Sequence, residues 1–484
     1  MRYAVSFIMR RASSRTTAFL SRFIAASSLH AAGCTRKQAE APAGDPAAVA
    51  DAAPRIDPNK THVIFLIIDT LRADKMGAYG FDQPVSPELD RFAKDGVRFD
   101  RAIAQCSWTR PSIGSMLTGI YPRTLGLYKE ENQRLGDNFL TLAEVFKKNG
   151  YTTLGVTANP NINAVFGFDQ GFDAYIDSQR IWPWMKSDLG EESTSKAAKA
   201  TYPGQLMPAT GVFEQALELI DKHPTGPYFM QINIMEMHGW GPPVREELQG
   251  TFQAHKDGAY LDKLRQASID VGAFVDRWMA QPGFEDTLLV ITSDHGEGLS
   301  DHPDVDNAHD HGLVLYESQL HVPLILYHSK GALGSGVVIE QPVRIMDIFP
   351  TIADLLGFGV KRRIDGVSLK DAITKPGSGV DLPPFFVAET YFQEAKKQSV
   401  YSASWNFYNN MDGWKGMDPT ELQQAGQPEL GARSNQIERH PGEAEKLEAF
   451  LRTWERQDPK ADPLDNGNLP DELIEQLRAI GYLD

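Results

Sequence analysis

The sequence predicts an α/β fold, with a central, mostly parallel sheet flanked by helices and a smaller C-terminal lobe. Three observations lead there. V-I-F-L-I-I, residues 63–68, is uninterrupted apolar sequence ending in an acid, Asp69, the pattern of a strand buried on both faces. Strand-like and helix-like stretches then alternate along the chain. From about Pro376 the alternation stops. With 484 residues, 42% of them hydrophobic, the chain can bury one large domain and a smaller one.

Residues 1–34 read as a signal segment. Arg2, Arg10, Arg11, Arg15 and Arg22 make a basic start, and no acid precedes Glu40. A mildly apolar run follows and ends A-A-G-C at Cys34, which resembles a bacterial lipoprotein signal with Cys34 as the lipidated residue. The alternative is an N-terminus in which the cysteine is incidental. Residues 35–60, rich in Ala, Pro and Asp, read as a disordered tether. No stretch has the roughly 18 apolar residues of a transmembrane helix. The expectation is an exported protein of the bacterial cell envelope, lipid-anchored or periplasmic, touching the membrane only through that anchor.

The fold then begins at Thr61, and residues 61–375 read as its main domain. Asp69 and Thr70 fall at the C-terminal edge of the first strand, where open α/β sheets place their sites. Asp69 either caps the next helix, L-R-A-D-K-M-G, or binds a metal. Leu140–Gly150 is an amphipathic helix closed by glycine, and Tyr151–Ala158 a strand. Between about Gly167 and Pro208 the pattern weakens into an insertion or surface loop. Y-F-M-Q-I-N-I-M is the next strand, with Glu236 and His238 at its end. Thr287–Ser293 is another, running into Asp294-His295-Gly296-Glu297. His295, His302, His309 and His311 then lie among Asp294, Asp301, Asp304, Asp306 and Asp310. That density after a buried strand suits a divalent metal, from Ca²⁺ or Mg²⁺ to Mn²⁺ or Zn²⁺. A further strand starts at Val322, and Arg344–Leu356 is a loop entering a helix. Residues 376–484 form a partly helical lobe with helices at Glu443–Trp454 and Pro470–Ile480.

The formal net charge of −16, without a basic block, argues against a nucleic-acid partner. A small anionic substrate remains compatible if metal ions make the site locally positive. Two cysteines, Cys34 and Cys106, do not make a disulfide framework. Oligomeric state is not legible.

The chemistry concentrates in C-S-W-T-R-P-S-I-G-S-M-L-T-G, Cys106–Gly119. A Ser, Thr or Cys ahead of a helix N-terminus lies in a field that stabilises negative charge on an attacking atom. Taken alone, the stretch is equally a capped helix with Pro111 in its first turn. The other strand ends tip that balance, because Asp69, Thr70, His238, Asp294, His295 and His311 would converge on the same sheet edge. A metal held by Asp69, Asp294 and His295 would bind an anionic ester oxygen.

These motifs resemble the sulfatases of the alkaline phosphatase superfamily. The carriers are I-I-D-T-L-R-A-D-K-M-G-A-Y-G, S-M-L-T-G-I-Y-P, T-L-A-E-V-F-K-K-N-G-Y, T-S-D-H-G-E, H-G-L-V-L-Y-E-S-Q-L-H-V-P-L and D-I-F-P-T-I-A-D-L-L-G. The resemblance covers roughly residues 61–375 and the ending E-L-I-E-Q-L-R-A-I-G-Y-L. It implies an alkaline-phosphatase-like α/β sandwich. It also implies a divalent metal, Ca²⁺ or Mg²⁺, between Asp69 and Asp294-His295, and hydrolysis of a sulfate or phosphate ester.

Family sulfatases oxidise a Cys or Ser to formylglycine within C/S-x-P-x-R. Here Cys106 has Arg110 four residues on but Trp108 in the proline place. Counting back from L-T-G instead puts Thr109 at the nucleophile position, with Pro111 two residues on and Ile113 in the arginine place. The helix fixes the geometry and favours Thr109, which would also touch the metal; formylglycine at Cys106 is disfavoured. Leu125 stands where many sulfatases carry His, and Leu313–Leu315 where a substrate-binding Lys is usual. A Thr nucleophile resembles those of phosphodiesterases and phosphoethanolamine transferases. The expectation is a metal-dependent hydrolase of sulfate or phosphate/phosphonate esters. Thr109 is its nucleophile, and His238 and His311 bind the anion, act as general acid, or ligate a second metal. The alternatives are a phosphoethanolamine-type transferase and a non-catalytic lipid-anchored binding protein.

Overall fold

A computed structural model describes residues 56–128, 132–179, 207–239, 241–306, 308–375, 377–393, 395–411, 413–457, 460–462, 464–465 and 469–479. The expected signal segment, Cys34 and nearly all of the tether lie outside the described residues, as does most of the expected 167–208 insertion.

The first apolar run forms β1, His62–Ile68, whose seven residues are all buried. It lies mid-sheet because both of its faces must be covered, and nothing in V-I-F-L-I-I could face water. The other elements of the main sheet are β2 (Val97–Ile103), β4 (Thr152–Thr157), β5 (Ala174–Ile176), β6 (Tyr228–Ile234), β7 (Thr287–Thr292), β8 (His321–His328), β9 (Val337–Ile339) and β10 (Val343–Arg344). The order is β10-β2-β8-β7-β1-β6-β4-β5, with β9 also beside β2. β8 runs antiparallel to both β7 and β2, and the remaining pairings are parallel. A two-residue β3, Gln133–Arg134, pairs instead with Leu464–Asp465 near the C-terminus.

Parallel register decides where the site falls. Thr157 on β4 pairs Asn233 on β6, Asn233 pairs Ile67 on β1, and Ile67 pairs Thr292 on β7. Two residues past that row come Asn159, Asp69 and Asp294, which the two-residue period of a strand turns to one side.

The expected helix after Asp69 is two short 3₁₀ turns, Ala73–Lys75 and Gly77–Tyr79. The amphipathic helix near residue 145 spans Leu142–Lys148, with Thr141 and Glu144 forming a capping box. Helices Pro87–Asp95, Ala209–Lys222 and Gly258–Met279 cover the sheet faces. The C-terminal lobe holds more strand than expected. Its antiparallel sheet runs Phe386–Thr390, Lys397–Tyr401, Trp405–Asn410, Thr420–Gln424 in order. Helix Pro441–Gln457 lays Ala444, Leu447 and Leu451 on Val387, Val400, Phe407 and Leu422. The lobe's first strand meets the main domain where Glu389 N donates to the Gln105 carbonyl (3.1 Å) and Glu389 pairs with Arg123 (2.9 Å). Among the described residues no helix is long and apolar enough to cross a membrane.

Candidate active site

β1 delivers Asp69 and Thr70 to the sheet edge, both fully buried. Thr70 adopts φ +55°, a left-handed backbone that a β-branched residue takes only under constraint. Two contacts hold it there. Tyr260 Oη donates to its carbonyl (2.8 Å), and its own N–H points at Asp294 Oδ1 (3.4 Å). β7 delivers Asp294 and His295, also fully buried, and Asp294 Oδ2 lies 3.3 Å from His295 Nε2. One oxygen or nitrogen from each of Asp69, Asp294 and His295 falls within 4.8 Å of the others.

Thr109 is the first residue of helix Thr109–Thr118, and the N-cap is Trp108. The hydroxyl therefore does not cap the helix. Instead Thr109 Oγ1 lies 3.3 Å from His295 Nε2 and accepts from Asn159 Nδ2 (3.2 Å). Ser112 Oγ ties the same helix to the Asp294 carbonyl (2.6 Å). Cys106 sits three residues upstream, buried, with its thiol against Thr390 and Glu389 of the lobe. Burial pushes that thiol's pKa up, so it stays protonated.

The electrostatics are those of a cation site. Burial and the neighbouring Asp294 raise the Asp69 pKa well above the usual carboxylate range. Burial lowers that of His295, which keeps the ring neutral. Its Nδ1 lies 2.9 Å from the Gly296 carbonyl and so carries the proton, leaving a lone pair on Nε2. Asp69 Oδ1, Thr70 Oγ1 and Asp294 Oδ2 are buried with no hydrogen-bond partner among the described residues. Three orphaned oxygens beside a neutral imidazole cost several kcal/mol unless something positive completes them, so the donor set fits a divalent metal.

His238 and His311 join the site from two more segments. Their rings are 4.9 Å apart, and the His311 ring is 4.5 Å from that of His295. His311 Nδ1 lies 3.1 Å from Asp310 and 3.2 Å from Glu297, a second group of potential ligands. A close approach makes this possible, since a Cβ on Gly298 would lie 1.5 Å from the Ala308 carbonyl oxygen. Burial first, then His311, pushes the His238 pKa well below its usual value.

Not all of the histidine-rich segment converges. His302 is turned toward Ser318 Oγ (2.8 Å), and His309 lines a separate cavity of about 520 Å³. Glu236 caps the backbone N–H of Ala209 instead of reaching the metal group. Asn159 enters without having been singled out from the sequence, and it donates to Asp69 Oδ2 (2.6 Å) as well as to Thr109. Its signal was its place two residues past β4, level with Asp69.

This architecture matches that of known proteins. The sulfatase family model matches residues 61–358. The chain belongs to the sulfatase family. A "Sulfatase" of Formosa agariphila is 24% identical over 64% of this chain and 72% of that protein. A "Multifunctional alkaline phosphatase superfamily protein" of Trinickia caryophylli is 23% identical over 64% of this chain and 76% of its own length. Among solved structures, a phosphonate monoester hydrolase from Silicibacter pomeroyi superposes with TM-score 0.65 at 19% identity, covering 83% of this sulfatase-family chain and 96% of that one. The shared fold is thus the expected alkaline-phosphatase-like one, and the chain is an ester hydrolase.

Proposed function

We propose that this sulfatase-family chain hydrolyses sulfate or phosphate/phosphonate esters with Thr109, in place of formylglycine, as its nucleophile. One observation carries the reading. The Thr109 hydroxyl lies between His295 Nε2 and Asn159 Nδ2, whereas the Cys106 thiol faces Thr390. Asp69, Thr70, Asp294 and His295 would hold a divalent cation beside Thr109. The oxygen donors suit Ca²⁺ or Mg²⁺, and the imidazole also admits Mn²⁺ or Zn²⁺. Such an ion, when bound, would stabilise charge on the ester oxygens and favour the deprotonated form of a neighbouring hydroxyl.

The chain's own residues divide the remaining work. With its hydroxyl proton released to solvent, Thr109 Oγ forms a bond to sulfur or phosphorus, and the bond from that atom to the alcohol oxygen breaks. His311, held by Glu297 and Asp310, or His238 beside it, gives the departing oxygen its proton. Water then cleaves the threonine ester, restoring Thr109 and releasing the inorganic or organic acid. Helix Thr109–Thr118 aims its N-terminal amides at the same place and favours the anion.

Mass spectrometry of the peptide spanning Cys106 and Thr109, with assays on an aryl sulfate, an aryl phosphodiester and an aryl phosphonate, tests this. The expected result is an unmodified Cys106 and turnover that Thr109→Ala abolishes. Formylglycine at Cys106, or full activity in Thr109→Ala, overturns it. Residues 61–375 are read as the catalytic domain and 376–484 as a lobe packed on it. Export with a lipid on Cys34 rests on the basic start and A-A-G-C, and fatty-acid labelling lost in Cys34→Ala is its test.

A further inference from the structure

Asn159 is fully buried at the end of β4, and its contacts fix which way its amide points. Its Oδ1 accepts from the Asn161 N–H (2.8 Å), capping the 3₁₀ turn Pro160–Ile162. Its own N–H donates to Thr157 Oγ1 (3.0 Å). With the oxygen committed, Nδ2 faces the site and spends one hydrogen on Asp69 Oδ2 (2.6 Å) and the other on Thr109 Oγ1 (3.2 Å). A flipped amide would set oxygen against a carboxylate and NH₂ against a backbone N–H, so only this orientation satisfies every partner. A second tie runs beside the first. Arg110 donates from Nη2 to Asn161 Oδ1 (3.1 Å) and from Nε to the Asn161 carbonyl (3.2 Å), with its guanidinium 3.7 Å from the centre of the Phe166 ring. The turn after β4 is therefore joined to the helix start at two consecutive residues, Thr109 and Arg110.

We propose that Asn159 is a positioning residue whose single amide nitrogen locks the nucleophile to a ligand carboxylate. The proposal rests on the reading of Thr109 as nucleophile. Because Thr109 Oγ1 accepts from Asn159, that oxygen is held 3.3 Å from His295 Nε2, whose lone pair stays available to a cation. The Asn159 N–H then remains on the oxygen as its proton departs, where a donor to an anion is about twice as strong as one to a neutral hydroxyl. On the other side, Asn159 occupies Asp69 Oδ2 and leaves the orphaned Oδ1 to meet a cation.

Three variants test it. Asn159→Ala removes both donors, Asn159→Ser keeps an oxygen to cap the turn but loses the reach, and Asn159→Asp keeps the shape while turning both donors into acceptors. Positioning predicts kcat in the order wild type, then Ala and Ser, then Asp. The Ala and Ser variants should lose about 10- to 100-fold in kcat with KM within about threefold, and about tenfold in Mn²⁺ affinity by calorimetry on the chelated protein. A space-filling role gives the reverse order, with Asn159→Asp nearest to wild type. That order, or unchanged kcat and Mn²⁺ affinity in Asn159→Ala, overturns the proposal. Thr109→Ala run alongside separates the two failures. If it stays fully active, the nucleophile falls and this proposal with it; if it is dead beside a fully active Asn159→Ala, this proposal alone falls.

Discussion

The Thr109 hydroxyl oxygen lies 3.3 Å from His295 Nε2, and that nitrogen is equally 3.3 Å from Asp294 Oδ2. Hydroxyl, imidazole and carboxylate thus share one buried space with Asp69, whose pKa burial and Asp294 raise. Function at this edge opposes stability.

The cost is measurable. Asp294→Asn removes one buried charge while keeping an oxygen for the His295 N–H, which Asp294 Oδ1 now receives at 3.0 Å. In chelator the variant should be more stable than wild type by about 1–3 kcal/mol, because an uncompensated buried carboxylate is gone. With a divalent ion at about 1,000 times its Kd, wild type gains about 4.1 kcal/mol that the variant lacks, and the order reverses. Thermal unfolding of both proteins with and without chelator reads this. A variant less stable than wild type under chelation counts against the account.

Cys106→Ala should leave turnover within about threefold of wild type and cost about 1–2 kcal/mol of stability, the price of a small buried cavity. The thiol is 1% exposed, packs in the core and is kept protonated by burial. Steady-state kinetics and urea unfolding check both halves. A hundredfold loss of kcat would restore Cys106 to the chemistry.

Much of this was legible in the residues. A doubly buried strand cannot hide its apolar run, so β1, β6 and β7 and the acids at their ends were readable from V-I-F-L-I-I, Y-F-M-Q-I-N-I and T-L-L-V-I-T. The lobe sheet was not. Its strands K-Q-S-V-Y, W-N-F-Y-N-N and T-E-L-Q-Q bury polar side chains such as Gln398, Asn406 and Gln423, and their hydrogen bonds leave no trace in a hydropathy pattern. Asn159 escaped for a related reason. An Asn before Pro160 reads as turn chemistry, and only the register of β4 against β6 and β1 sets it level with Asp69. His302 and His309 failed the other way, since residues crowded in sequence part company once Gly298 folds the loop back on itself.

Thr70 offers a separate test of strain at the site. Its φ of +55° costs on the order of 1 kcal/mol or more in a β-branched residue, and its Oγ1 is buried without a partner. Thr70→Gly relieves the backbone and should be about 1 kcal/mol more stable than Thr70→Ala, which keeps the strain and loses the same oxygen. Both should bind a divalent ion more weakly than wild type. Equal stability of the two variants would show that the left-handed backbone carries no cost.

The lobe sets a limit at alkaline pH. Burial, with Glu317 close by, raises the Glu429 carboxyl to about 8 from the usual 4.5, although Tyr408 Oη and Asn406 Nδ2 (3.2 Å) donate to it. Arg101 answers Glu317 (2.6 Å), and His302 packs on the other side against the Glu429 backbone. Burial likewise raises Glu421 to about 7 against the donors Tyr316 Oη (3.0 Å) and Gln423 Nε2 (2.9 Å), with the Asp418 carboxylate adding to the rise. The folded state therefore binds both protons more tightly than the unfolded chain does. Their contribution is complete below about pH 4.5 and is lost as pH climbs through 7 and 8, each tenfold change in proton affinity being about 1.4 kcal/mol. Stability should fall between about pH 4.5 and 8, and Glu429→Gln, which cannot ionise, should flatten that fall, most visibly between pH 7 and 8 where Glu421 no longer contributes. Urea midpoints at about pH 5, 6.5 and 8 measure it. Parallel curves for wild type and variant would place the alkaline sensitivity outside this carboxyl group.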